Sequence, residues 1–229
     1  MTFSLAIRCE KTGHFGVAGT TSSMAMGARC LFVNHDAGAV ITQHRTDPRL
    51  GPQALRLLRA GASAQEVIDS FETVAGIEWR ELAVVDRMGN TAARQGKNQE
   101  PIYAKAFGKG MVAVGNILRN DSVAAAMIEA AEKAVDLPLA ERLLAGLDAG
   151  LAAGGEVFAL SSAALRISEH KDFCSVDLRI DKSAEPLTDL RALWQAYAPQ
   201  QANFVERVLF PDLGGRATNS HDILASEKA

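Results

Sequence analysis

The sequence predicts an α+β fold in which antiparallel sheets lie between layers of helices. Three observations carry that expectation. Short segments alternate apolar and polar residues with a period of two, helix-patterned segments come in pairs between them, and no linker-like composition shift interrupts residues 1–199. The order reads as strands, two helices, strands, two helices, two strands and one helix. Hairpins separated by helix pairs give antiparallel sheets with faces for helices to cover.

Thr2-Phe3-Ser4-Leu5-Ala6-Ile7-Arg8 is the first strand. Phe3, Leu5, Ile7 and Cys9 alternate with Thr2, Ser4, Ala6 and Arg8, the pattern of a strand with one buried face. Lys11-Thr12-Gly13 turns the chain, and Phe15 to Gly19 returns as the second strand of a hairpin. Thr20 to Gly27 is a loop rich in hydroxyls. Cys30–Val33 and Gly38–Gln43 form another strand pair, whose end, Gln43-His44-Arg45-Thr46-Asp47-Pro48, is dense in polar groups. Pro52 suits the first turn of a helix that carries Leu55, Leu57 and Leu58 and stops at Gly61. Ser63-Ala64-Gln65-Glu66 is a capping box that starts a second helix, with Val67, Ile68 and Phe71 on its buried face.

Glu81–Asp86 is a strand that turns at Arg87-Met88-Gly89-Asn90 into Thr91–Arg94, and Gly110–Asn116 is another. Gly108-Lys109-Gly110 reads as a turn. Asp121 is placed to cap a helix running to about Val135, and Pro138 opens one with Leu139, Leu143, Leu144, Leu147 and Leu151 at helical spacing before Gly154-Gly155. Ser161–Ile167 and Ser175–Ile180 are strands, and a helix from Pro186 buries Leu187, Leu190, Leu193, Trp194 and Tyr197. Residues 1–199 therefore read as one domain and 200–229 as a C-terminal extension. Phe204, Val205, Val208, Leu209 and Phe210 form an apolar segment suited to docking on a partner subunit, which predicts a homo-oligomer, most simply a dimer. Arg216–Ala229 reads as a polar tail.

Composition narrows the function classes. A net charge of −3 without a basic stripe argues against nucleic-acid binding. No apolar run approaches the ~18–20 residues of a membrane span, and no basic-then-apolar leader precedes the first strand, so the expected compartment is the cytoplasm. Cys9, Cys30 and Cys174 are odd in number and unpatterned, as reduced thiols are. His14, His35, His44, His170 and His221 show no metal-ligand spacing, and neither a Gly-x-Ser-x-Gly elbow nor a phosphate-binding glycine loop is present. The expectation is a small-molecule substrate with no metal and no cofactor.

One position can carry chemistry by itself. If Met1 is removed, Thr2 holds an α-amine and a β-hydroxyl on adjacent carbons, a base and a nucleophile in one residue. An α-amine titrates near about 7.7–8.0, so much of it is free base at neutrality. A tetrahedral oxyanion then needs a fixed donor, and Asn116 at a strand end is the first candidate, with a turn-capping role as its alternative. Gln43 is the second, its alternative being an amide that ties down the following loop. Ser23 and Ser162 are candidates for hydrogen bonds to the α-amine or substrate. Arg45 is a candidate clamp for a substrate carboxylate, or else a surface partner of Asp47.

With these residues placed, the chain resembles the DUF1028 family, a group assigned to the N-terminal nucleophile (Ntn) hydrolase superfamily. The resemblance runs from Thr2 to about Tyr197. It is carried by Thr2-Phe3-Ser4-Leu5-Ala6, Gly38-Ala39-Val40-Ile41-Thr42-Gln43, Asp47-Pro48-Arg49-Leu50-Gly51, Val114-Gly115-Asn116-Ile117-Leu118, Leu139-Ala140-Glu141-Arg142-Leu143-Leu144, Ala152-Ala153-Gly154-Gly155, Ser162-Ala163-Ala164 and Leu178-Arg179-Ile180-Asp181. It implies a four-layer αββα sandwich, with Thr2 as the N-terminal threonine of a hydrolase acting on a carbon–nitrogen amide-type bond. Relatives carry Gly-Gly-Asp, then Arg-Gly, then Gln-Ser-Ala-Ala. Here Gly154-Gly155-Glu156-Val157-Phe158-Ala159-Leu160-Ser161-Ser162 replaces those basic and amide groups with apolar ones and a serine. A second reading is a catalytically silent member that keeps the fold as a binding or assembly module.

Overall fold

The computed structural model describes residues 1–169 and 172–212. His170, His221 and the tail Arg216–Ala229 lie outside them. The strands are β1 (Thr2–Arg8), β2 (Phe15–Thr21), β3 (Leu31–Asn34), β4 (Gly38–His44), β5 (Arg80–Asp86), β6 (Thr91–Gln95), β7 (Tyr103–Gly108), β8 (Met111–Asn116), β9 (Ser162–Ser168) and β10 (Val176–Ile180). The helices are α1 (Leu50–Arg59), α2 (Ala64–Ser70), α3 (Ser122–Lys133), α4 (Leu139–Ala152), α5 (Pro186–Tyr197) and α6 (Gln201–Leu209). Among the described residues no helix is long and apolar enough to cross a membrane.

The protein is a mixed α/β structure with two antiparallel sheets. A six-stranded sheet runs β10-β9-β2-β1-β8-β7, and a four-stranded sheet runs β3-β4-β5-β6. Side chains alternate across each strand, so each sheet has two faces to cover. Ala6, Val17, Val112 and Val114 of the larger sheet meet Ala39, Ile41, Ala83 and Val85 of the smaller in one apolar core, closed by Met26 and Leu31. On the other face of the small sheet, Val40, Leu82 and Val84 pack on Leu50, Ala54 and Leu58 of α1 and Val67 and Ile68 of α2. On the other face of the large sheet, α4 comes so close to β1 that a Cβ on Gly146 would stand 2.5 Å from Leu5 Cδ2. The capping box forms as read: Ser63 Oγ accepts the Glu66 N–H, and the Glu66 carboxylate accepts the Ser63 N–H.

Three expectations are corrected. β1 is buried on both faces, because it is an inner strand whose small Thr2, Ser4 and Ala6 meet the second sheet. Strand β7, absent from the sequence reading, pairs with β8 around the expected turn; its mostly exposed Tyr103, Lys105 and Phe107 alternate only with alanines, so the period is faint. The Asp121 side chain makes no cap bond; Asn120 Oδ1 instead accepts the Ser122 N–H at 3.0 Å.

Two compact units divide the chain, the first spanning Met1–Leu193 and the second beginning at Trp194. In the second, the Tyr197 and Phe204 rings lie 5.4 Å apart, and the α6 end leaves Val208, Leu209 and Phe210 exposed.

Candidate functional site

One end of the space between the two sheets is polar. Strand register lines up Asn116, Thr2, Thr21 and Ser162 across β8, β1, β2 and β9. Opposite them, Gln43, Glu81 and Gln95 line up across β4, β5 and β6. Glu81 belongs to the same face as Ala83 and Val85, so the alternation that buries those two also buries its carboxylate, which has no exposed surface.

Three amides meet that carboxylate. Gln43 Nε2 and Asn116 Nδ2 donate to Oε2 at 2.5 and 2.6 Å, and Gln95 Nε2 donates to Oε1 at 2.7 Å. Burial pushes the Glu81 carboxyl up, and the donors from Gln95, Asn116 and Gln43 pull it partly back. Because a carboxylate only accepts, Gln43 and Asn116 must both turn their nitrogens toward it. Their oxygens consequently face elsewhere. Gln43 Oε1 accepts from Ser4 Oγ at 2.8 Å. Asn116 Oδ1 is buried without a partner among the described residues.

Thr2 stands beside this cluster and is itself buried. Its Oγ1 lies 3.2 Å from Thr21 Oγ1, and both hydroxyls donate to the Met1 carbonyl oxygen. Thr21 Oγ1 is 3.4 Å from Ser23 Oγ, which continues the hydroxyl row outward. Met1 lies in a cavity of about 300 Å³ lined with His44, Arg45, Glu100, Ile117 and Phe158. His44 and Ile117 adopt left-handed backbone conformations, φ +63° and +53°. Such conformations are unfavourable for side chains of this size and collect at functional sites. Burial lowers the Met1 α-ammonium below its usual value, opposed first by Glu156 and then by Glu81 and Glu100.

The structure therefore brings Thr2, Asn116 and Gln43 together through Glu81, and reaches Ser23 through Thr21. Ser162 is used differently: its Oγ donates to the Ser23 carbonyl at 2.7 Å and accepts the Met26 N–H at 3.2 Å, tying down the loop after β2. Arg45 is at the cavity wall with its guanidinium 5.1 Å from the Trp79 ring centroid. Its proposed surface partner Asp47 is taken by Arg49, at 2.8 Å, which holds that carboxyl below its ordinary value.

Sequence reasoning missed Glu81, Thr21, Gln95 and Glu156. Glu81 was within reach, since the period of β5 already assigns it to the face of Ala83 and Val85. Glu156 lies in an irregular segment and carries no such signal.

A family model described as "Family of unknown function (DUF1028)" matches residues 2–190. Among solved structures, the crystal structure of protein SPO2555 from Silicibacter pomeroyi, also assigned to DUF1028, is 32% identical, with a TM-score of 0.79. The match covers 86% of this chain and 89% of that one. No curated protein matches this chain.

Proposed function

The chain belongs to the DUF1028 family, and from that premise we propose that it is an Ntn-type amidohydrolase whose nucleophile is Thr2, freed by removal of Met1. The paired sheets with helices on their outer faces support the four-layer αββα arrangement of that superfamily. The observation that carries the reading is the position of the Thr2 hydroxyl. It lies at the end of an inner strand, in a row of hydroxyls, beneath a cavity into which the preceding residue projects.

In the proposed reaction, Thr2 Oγ1 bonds to the carbonyl carbon of a small amide while its proton passes to the free α-amine. The amine delivers that proton to the leaving nitrogen as the carbon–nitrogen bond breaks. Water then attacks the ester, and Oγ1 recovers its proton through the same amine. One N–H of Asn116 Nδ2 donates a hydrogen bond to Glu81, and the second N–H is the donor we assign to the oxyanion. Asn116 Oδ1, still without a partner, is an acceptor for the amine. Gln43 and Glu81 act as positioning residues, since they hold the Asn116 amide and Ser4 rather than touching substrate.

The test is turnover of a panel of small amides by protein whose intact mass shows loss of Met1, beside the Thr2→Ala variant, read as ammonia or amine release. Activity should fall to background in the variant. Equal turnover by both proteins removes Thr2 from the mechanism. A second reading, an inactive assembly module, is favoured by the exposed apolar end of α6; complete retention of Met1 in untagged protein would support it.

A further inference from the structure

Glu156 is a buried carboxylate that forms no ion pair among the described residues; the Met1 ammonium acts on it electrostatically without pairing with it. It is 3% exposed; Oε1 accepts the Ser22 N–H at 2.8 Å, and Oε2 has no partner among the described residues. Its backbone is held in place. Glu156 bridges to Leu118, Arg119 N donates to Gly155 O, and Val157 N donates to Ile117 O. A buried carboxylate oxygen left unpaired is unfavourable unless a donor arrives, which makes this group a binding element in search of a cation.

Met1 marks what fits beside it. Its carbonyl oxygen receives the Thr2 and Thr21 hydroxyls, and its Sδ lies 3.4 Å from Ser22 Oγ, the residue whose N–H holds Glu156. The volume Met1 takes up thus has a carbonyl end at the nucleophile and a side chain whose sulfur meets Ser22, and it adjoins the cavity that Ile117 and Phe158 line. We propose that this volume is an α-aminoacyl site, taking substrates whose acyl group bears a free amino group next to the scissile carbonyl, with Glu156 Oε2 receiving that ammonium. The inference rests on the reading of Thr2 as the nucleophile and adds the class of acyl group. Electrostatics agree with it. Burial raises the Glu156 carboxyl and lowers the Met1 amine, and of the charges opposing the latter shift, Glu156 acts most strongly. Each charge is disfavoured alone and relieved by the other.

The experiment uses the full chain released from an amino-terminal fusion so that Thr2 is the first residue. Calorimetry compares L-methioninol, which cannot be hydrolysed, with N-acetyl-L-methioninol, and ammonia release compares L-methioninamide with its N-acetyl form. A hydrogen bond between charged partners predicts at least about tenfold tighter binding of the free amine. Glu156→Gln should abolish that preference. Equal binding of the two alcohols, or an unaltered preference in the variant, overturns the proposal. Should the variant fail to show a cooperative melt, the parent's preference between the two alcohols decides alone. Selective methioninol binding without ammonia release would sink the nucleophile reading and leave the site standing. Cleavage of acetylated amides without methioninol selectivity would do the reverse.

Discussion

Replacing Glu81 with alanine, beside replacement with glutamine, tests whether the polar end of the inter-sheet space is held by one carboxylate. Alanine removes the acceptor of three amide donors. Gln95 is only half-buried and can turn to water, but Gln43 and Asn116 have no exposed surface and cannot. Stranding each buried donor costs about 1–3 kcal/mol, so the two together cost about 2–6 kcal/mol. Removing a buried charge returns part of its desolvation penalty, which brings the expected net loss to about 2–4 kcal/mol. Glutamine keeps an oxygen where Gln43 and Asn116 donate, and places its own amide opposite Gln95, which can present its oxygen instead. That variant should stay within about 1 kcal/mol of the parent. Urea unfolding at pH 7 reads the difference as midpoints at equal slope. If alanine were no more disruptive than glutamine, the carboxylate would not be organising these amides.

Other expectations follow from the same structure. Glu81 and Glu156 have raised folded-state values, so their contribution to stability is full below the unfolded carboxyl range and is lost as pH rises through the raised values. The stability difference between Glu81→Gln and the parent should therefore grow in the variant's favour above about pH 4.3, measured by urea midpoints across pH. Arg142, almost wholly buried, donates to Ala131 O at 2.7 Å and to Glu10, whose carboxyl it holds low. Arg142→Ala should cost about 3 kcal/mol at pH 7; because it removes the main cause of the lowered Glu10 value, urea midpoints across pH should also lose much of the fall in stability that the parent shows as pH drops through that value. A Cβ at Gly38 would stand 2.2 Å from the Val85 carbonyl oxygen, at a φ of +148°. Gly38→Ala should cost about 3 kcal/mol, visible as a melting point lower by roughly 6–12 °C.

Periodicity made the elements legible because burial repeats along them. The β1–β2 hairpin, the helix pairs and the Ser63–Glu66 box were all readable, since each is decided within a few neighbouring residues. Asn116 and Gln43 were visible as polar groups at strand ends, but their shared dependence on Glu81 was not. That dependence arises where strands 38–44, 80–86 and 111–116 meet across two sheets, and no local spacing records it. The first strand shows the same limit. Its hydroxyl-bearing face looks solvent-facing in sequence, whereas small polar side chains there allow a second sheet to approach. Arg45 and Asp47 sit two apart and still choose other partners, Trp79 and Arg49.

The central place of β1 has a consequence for synthesis. As the ribosome extrudes the chain, β1 can pair at once with β2, yet its other edge waits for β8 at residues 111–116, and β2 waits for β9 at 162–168. At about 5–20 residues per second, the nascent hairpin stays open-edged for roughly 5–20 s before β8 is made. During that interval its unsatisfied edges are a template for foreign strands, so this hairpin is the segment with most need of a chaperone.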